Sequence, residues 1–158
     1  MVALESRQGR KLQRYSSNGS RLVVGSIPYR LKKDKGEVSD HQVLEVLVIT
    51  SQKGHGMMFP KGGWELDETL KQAALREAME EAGVVGTVEF NLGKWTYKSK
   101  RSDISHEGFM FALNVTEELL QWPEMNSRKR KWVTVDEVRE GCQEEWMKEA
   151  LERLVASL

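Results

Sequence analysis

The chain has 158 residues, with 24 Lys or Arg balanced by 24 Asp or Glu, so its overall charge points to no class of partner. A single cysteine, Cys142, excludes a disulfide framework and a zinc cluster, and reads as a small buried apolar residue. No apolar run approaches the roughly 20 residues that span a bilayer, and the length is that of one domain, 1–158, with room for a real core.

Charge is nevertheless uneven along the chain. Residues 1–35 carry nine Lys or Arg against two acids, whereas 62–84 carry six acids against two bases. A basic surface facing an acidic site suits a polyanion held over a cation. Residues 1–20 read as a basic arm ending in the turn Ser16-Ser17-Asn18-Gly19-Ser20. The Arg and Ser content of the arm resembles that of an organellar transit peptide. No amphipathic stripe accompanies it, so a soluble cytoplasmic or nuclear protein is expected.

Residues 21–31 read as a strand that Pro28 assigns to an edge or a bend. A polar loop follows over 32–41. Residues 43–50 (VLEVLVIT) are β-branched and nearly all apolar, which predicts a central buried strand. Gly54-His55-Gly56 forms a turn, and 57–59 make a short extended piece leading into Pro60-Lys61.

The stretch 62–84, GGWELDETLKQAALREAMEEAGV, opens with two glycines and then runs nineteen residues without Pro or Gly before Gly83. This predicts a loop feeding a helix, capped by Asp67 or Thr69 and closed by Gly83 in the left-handed conformation. Leu70, Ala74, Ala78 and Ala82 recur every four residues as a narrow apolar stripe for close packing. Glu77, Glu80 and Glu81 fall within one turn of each other. Carboxylates that close repel, and a hard divalent cation such as Mg²⁺ or Mn²⁺ is the simplest compensation. Arg76 can hold one of them by a bidentate pair. A solvated acidic helix face is the plainer account of such a charge run.

Beyond the helix, 87–97 and 109–115 have strand character and flank a basic loop, Lys98-Ser99-Lys100-Arg101. Arg128-Lys129-Arg130-Lys131 precedes a short strand at 132–135, Asp136 caps a helical turn to Arg139, and 143–157 form an amphipathic helix. There are no repeats, low-complexity segments or linkers. Mixed strands with a central and a C-terminal helix predict an α/β/α sandwich around a mixed sheet.

Gly62, Glu68, Arg76, Glu77, Glu80, Glu81, Gly83 and Val84 all fall in the register of the Nudix box. The one departure is Ala78, where that family has Val, Leu or Ile. A pattern of this length is far more specific than a lone glycine loop, and on it the chain resembles a Nudix hydrolase. The resemblance implies the α/β/α fold and Mg²⁺-dependent (or Mn²⁺-dependent) hydrolysis of a phosphoanhydride. It casts Glu77 and Glu81 as direct metal ligands, joined by Glu80, with Glu68 in support and the backbone carbonyl of Gly62 or Lys61 completing the shell. Glu81 is the best candidate for the base, with Glu80 and Arg76 the other catalytic residues.

Three flanking matches resemble the diphosphoinositol polyphosphate phosphohydrolases, plant members above all. They are Arg14-Tyr15 with the glycine turn and Arg21; Pro60-Lys61-Gly62-Gly63-Trp64; and Arg128-Lys129-Arg130-Lys131-Trp132. Lys61 stands where animal members have a third glycine. A highly phosphorylated ring needs cations from several directions. The candidates are Arg14, Arg21, Lys61, Lys98, Lys100, Arg101, Arg128 and Arg130, with His106 and the backbone of Gly62 and Gly63. Taken singly, each cation is equally well a solvated surface residue, and 128–131 also fits a nuclear-localisation or RNA-binding patch. The rival substrate is a diadenosine polyphosphate, Ap4A to Ap6A, since Phe59-Pro60-Lys61-Gly62 also resembles the hydrolases of those compounds. Its adenine would want an aromatic platform from Trp64, Trp95, Tyr97 or Trp122. A non-catalytic sensor of a phosphorylated ligand is disfavoured because all four box carboxylates are present. The expected partner is a small phosphorylated polyanion, with no nucleic acid, no membrane and a monomeric protein.

Overall fold

The computed structural model describes residues 6, 12–33, 42–52, 56–99 and 103–158. Among these, strands β1 (Arg21–Lys33), β2 (Gln42–Ile49), β3 (Lys61–Gly63), β4 (Val84–Lys98), β5 (Ser105–Glu118) and β6 (Arg130–Thr134) build one sheet. Its order is β4-β5-β1-β2-β6, with β3 also paired to β1. The β1–β5 pair is parallel and the others are antiparallel, giving the expected mixed sheet.

Side-chain alternation sorts the sheet's two faces. Val46 and Val48 of β2, with Met110 and Ala112 of β5, face one cluster. Leu47 and Ile49, with Phe111 and Leu113, face the other way. Helices α2 (Val135–Gly141) and α3 (Glu145–Ser157) cover the first face through Val138, Met147, Ala150, Leu151 and Leu154. Helix α1 (Leu70–Glu77) and the turn that prolongs it cover the second through Ala73, Ala74, Ala78 and Ala82. This is the α/β/α sandwich, and a stripe of alanines lets the acidic helix lie close on the sheet.

Pro28 does not mark an edge: β1 is the middle of the sheet. It lies opposite Leu113 of β5 on one side. On the other side β1 pairs with β3 through Val23–Gly25 and with β2 from Tyr29 onward. Ser26 donates its N–H to Pro60 O on that side at 3.2 Å. Backbone groups alternate along a strand, so the N–H that Pro28 lacks would have pointed into the gap between β3 and β2. The hairpin strands β4 and β5 also extend further than their sequence signals, to 84–98 and 105–118. Most of the polar loop expected at 32–41 lies outside the described residues, while Lys32 and Lys33 complete β1.

Thr69, not Asp67, caps α1. Its hydroxyl accepts from Gln72 N–H at 3.2 Å and the Gln72 side chain accepts from Thr69 N–H at 2.9 Å, a reciprocal capping box. Thr134, with Glu137, does the same for α2 in place of Asp136. The acidic helix is not a uniform α-helix: after Glu77 it widens into a π-helical turn, Ala78–Ala82, and ends at Gly83 with φ 66° as the sequence predicts. Thr69→Ala should lower the unfolding free energy by about 1 kcal/mol, measured by urea denaturation, with Thr69→Ser close to wild type.

Candidate active site

The acidic helix and β3 meet at a cavity of about 580 Å³ whose wall includes Lys61, Gly62, Gly63, Arg76, Glu77, Glu80 and Glu81. Glu77, Glu80 and Glu81 are only 6, 4 and 7 % exposed, so this is no solvated face. Charges that deeply buried must be compensated, and Arg76 is the first compensation. Its Nε and Nη2 donate to the two oxygens of Glu68 at 2.6 and 2.9 Å, and its Nη1 donates to Glu77 at 2.8 Å and Glu80 at 3.2 Å. Nη2 also donates to Gly63 O at 2.9 Å, tying the helix to β3. Burial works against the Arg76 charge, but the hydrogen bond to Glu68 and the charges of Glu77, Glu68 and Glu80 hold it firmly protonated.

Glu81 is held differently. It accepts the backbone N–H of Lys61 at 3.1 Å, and Arg128 Nη2 stands 3.7 Å from its other oxygen. Burial nonetheless pushes its carboxyl up to about 7, with Arg128 and Lys61 opposing and Glu124 reinforcing. Glu77 is raised well above the usual carboxylate range, first by burial and then by the charge of Glu81, to which it is hydrogen-bonded. Two neighbouring carboxyls, both raised by burial, mark a place that one added positive charge would satisfy. Gly62 belongs to the same arrangement, because a Cβ there would overlap the Glu77 carboxylate.

Among the described residues no group of three or more His, Cys, Asp and Glu side chains is arranged to hold a metal ion as it stands. Arg76 draws Glu68, Glu77 and Glu80 toward itself while Glu81 turns to Lys61 and Arg128. Glu68 is absent from the cavity wall, and both its oxygens are engaged in orienting Arg76 and the Glu65 N–H. The donor set that fits a divalent cation is therefore Glu77 and Glu81, oxygen ligands already in contact, with Glu80 beside them.

Of the predicted substrate cations, Arg21, Lys61, Lys98 and Arg128 line the cavity, with His106 and Gly63. Desolvation of the half-buried Lys61 lowers its ammonium pKa, while the charge of Glu81 works the other way. His106 donates Nδ1–H to Ile104 O at 3.0 Å, and Lys100 and Arg101 lie outside the described residues. Two of the candidates lie away from this wall. Arg14 is absent from the wall; its guanidinium lies 4.2 Å over Trp64 and donates to the carbonyls of Glu65, Leu66 and Glu68. Arg130 is absent too; it donates to the carbonyls of Ala82, Gly83 and Leu119 and lies 4.0 Å over Trp122.

The aromatic platform fares no better. Trp64, Trp95 and Trp122 are each covered by an arginine and none lines the cavity. Tyr97 does line it, but its ring is already stacked with His106 (5.2 Å between centroids) and Trp146 (4.5 Å). The structure also brings Gln13, Glu124, Glu144 and Trp146 to the wall, none of which the sequence singled out. Only Glu124 carried a signal, four residues ahead of Arg128, whose Nε it accepts at 2.9 Å.

The NUDIX domain family matches residues 33–154. Nudix hydrolase 18, mitochondrial, from Arabidopsis thaliana is 58 % identical over 159 residues, covering 100 % of this chain and 89 % of that protein. Nudix hydrolase 4 of the same plant is 56 % identical over 155 residues, covering 98 % of this chain and 75 % of that one. Among solved structures, a C. elegans Ap4A hydrolase superposes with a TM-score of 0.61 at 22 % identity, covering 85 % of this chain and 96 % of that one, a likeness of fold alone. With most of its length matched and relatives more than half identical, the chain belongs to the Nudix hydrolase family.

Proposed function

We propose that this hydrolase acts on the diphosphate group of a diphosphoinositol polyphosphate, releasing phosphate and the inositol polyphosphate. Hydrolysis of a phosphoanhydride comes with the family; the substrate is our reading. One observation carries it. Arg21 at the start of β1, Lys61 on β3, Lys98 at the end of β4 and Arg128 ahead of β6 line the same cavity as Glu77, Glu80 and Glu81. Cations arriving from four elements suit a compact ring with phosphates in several directions better than a linear chain. Among the described residues, the aromatic rings on the wall, Tyr97, Trp146 and His106, are stacked on one another, which supports the same choice over an adenine-bearing substrate.

In this reading Glu77 and Glu81 hold a Mg²⁺ ion, with Glu80 beside them and the Gly62 backbone against Glu77. The ion, when bound, supplies Lewis-acid neutralisation of phosphate oxygens and acidifies a water. Glu81 accepts the proton of the attacking water, Arg76 orients Glu77 and Glu80, and Arg128 and Lys61 face the charge that develops on the leaving group. Arg21 and Lys98 hold the more distant phosphates. For the compartment, the basic arm and the mitochondrial name of one close relative support an organelle alongside the cytoplasm or nucleus.

Phosphate release from a diphosphoinositol polyphosphate and nucleotide release from Ap5A, measured side by side with Mg²⁺, test the substrate. Faster turnover of the inositol compound at lower concentration is expected; a clear preference for Ap5A would replace our reading with dinucleotide hydrolysis. Glu81→Gln should lower kcat by about 10²-fold or more while the circular dichroism spectrum is unchanged; near-normal activity would remove Glu81 as the base. Lys98→Ala should raise KM several-fold with kcat retained.

Stability should also depend on pH in a particular sense. Glu81 titrates near 7 in the folded state but at the ordinary carboxylate value of 4.5 when unfolded. The folded state therefore binds more protons between those values, so the metal-free protein should lose stability as pH rises from about 4.5 to 7. Glu77 adds to the loss in the same direction. Melting temperatures in EDTA and in Mg²⁺ should accordingly diverge as pH increases.

A further inference from the structure

A helix leaves its last carbonyls without partners. Here those of Glu80, Glu81, Ala82 and Gly83 are all satisfied by one distant segment, 119–130. Glu80 O accepts from Glu124 N–H at 3.0 Å, and Glu81 O accepts from Trp122 Nε1–H at 3.2 Å. Arg130 Nη1 donates to Ala82 O at 3.1 Å and Gly83 O at 3.0 Å, and Leu119 N–H donates to Gly83 O at 2.8 Å. The Arg130 guanidinium lies 4.0 Å over the Trp122 ring. Gly83 leaves room for both, since a Cβ there would come within 2.6 Å of each.

The carbonyls so gripped belong to the π-helical turn that carries Glu80 and Glu81. A π turn spends more residues on each revolution than an α turn. The turn carries both Glu80 and Glu81, and π turns occur mostly as single turns, so its geometry depends on what holds its end. The same segment reaches the Glu81 side chain through Arg128, 3.7 Å away. Glu81 is held by its carbonyl and near its carboxylate by one piece of chain.

We infer that Trp122 and Arg130 are positioning residues for the hydrolysis: as a clasp on the π turn they set the aim of Glu80 and Glu81, and with it metal affinity and turnover. This rests on the reading that Glu77 and Glu81 hold the ion, and neither clasp residue touches the cavity. Trp122→Phe keeps the ring under Arg130 but removes the N–H; Arg130→Met removes the fork; Arg130→Lys keeps charge without the fork's reach to three carbonyls.

Mn²⁺ binding to the full chain, followed by electron paramagnetic resonance without substrate, is compared with kcat and KM at saturating metal. For Trp122→Phe and Arg130→Met we expect Mn²⁺ affinity and kcat each to fall about 10-fold, as for residues that orient metal ligands. KM should stay within about twofold, and Arg130→Lys should recover part of the loss. Unchanged Mn²⁺ affinity and kcat with a lowered unfolding midpoint would overturn the inference in favour of a structural clasp. A raised KM with normal Mn²⁺ binding would overturn it by returning Arg130 to the substrate. Should Arg130→Met fail to fold, Trp122→Phe decides. Glu81→Gln is the control: if it binds Mn²⁺ normally the ligand assignment itself fails, whereas a control that loses binding beside clasp variants that keep it refutes only the clasp.

Discussion

The structure depends on one guanidinium holding several buried carboxylates together. Arg76 meets Glu68, Glu77 and Glu80 directly and stands 3.5 Å from Glu65. Without it those charges would face one another in a low-dielectric site, and breaking a buried pair by removing one partner costs about 3–5 kcal/mol. A lysine would not serve. Three donors on a point charge cannot take Glu68 bidentately while also reaching two further carboxylates and the Gly63 carbonyl, whereas a planar fork with five can. The arginine therefore acts as scaffold and as electrostatic counterweight at once, and it leaves the Glu77–Glu81 pair as the place where positive charge is still wanting.

Around that centre the fold works by close approach. Alanines at 73, 74, 78 and 82 bring the acidic helix onto the sheet, and Gly62 brings β3 onto the Glu77 carboxylate. The position where relatives of this family carry a larger aliphatic residue, Ala78, is fully buried beside Leu47, Ile49 and Leu113. Cations then arrive from β1, β3, β4 and the segment before β6, while helices α2 and α3 stiffen the opposite face. Trp146 of α3 crosses between the two functions, packing in that rear core and standing on the cavity wall.

Spacing alone placed Glu77, Glu80 and Glu81 within one turn beside Arg76, and the family pattern gave that cluster its expected role. Gly83 was legible as well, since only one residue type sits easily at φ 66°. What spacing does not carry is direction. Arg14, Arg128 and Arg130 look alike as exposed cations, yet one lies over Trp64, one stands beside Glu81 and one closes a helix end. Their fates are decided by which carbonyls tertiary structure leaves unpaired. Pro28 misled because the edge rule considers a strand with one partner per side, and β1 changes partner midway. Thr69 and Thr134 won the caps over Asp67 and Asp136 because each has a Gln or Glu three residues on to complete the reciprocal pair.

The parallel pairing of β1 with β5 reaches beyond the site. Arg21 and its partner His106 stand 85 residues apart in the chain, and that pairing forms the middle of the sheet. On a ribosome adding about 5–20 residues per second, β1 waits roughly 4–17 s before the strand that completes its pairing has even been made. Contacts so distant in sequence also close slowly once available. In that interval β1 and β2 have only each other and β3 as sheet partners. Assembly of the cavity is thus a late event in the life of the nascent chain.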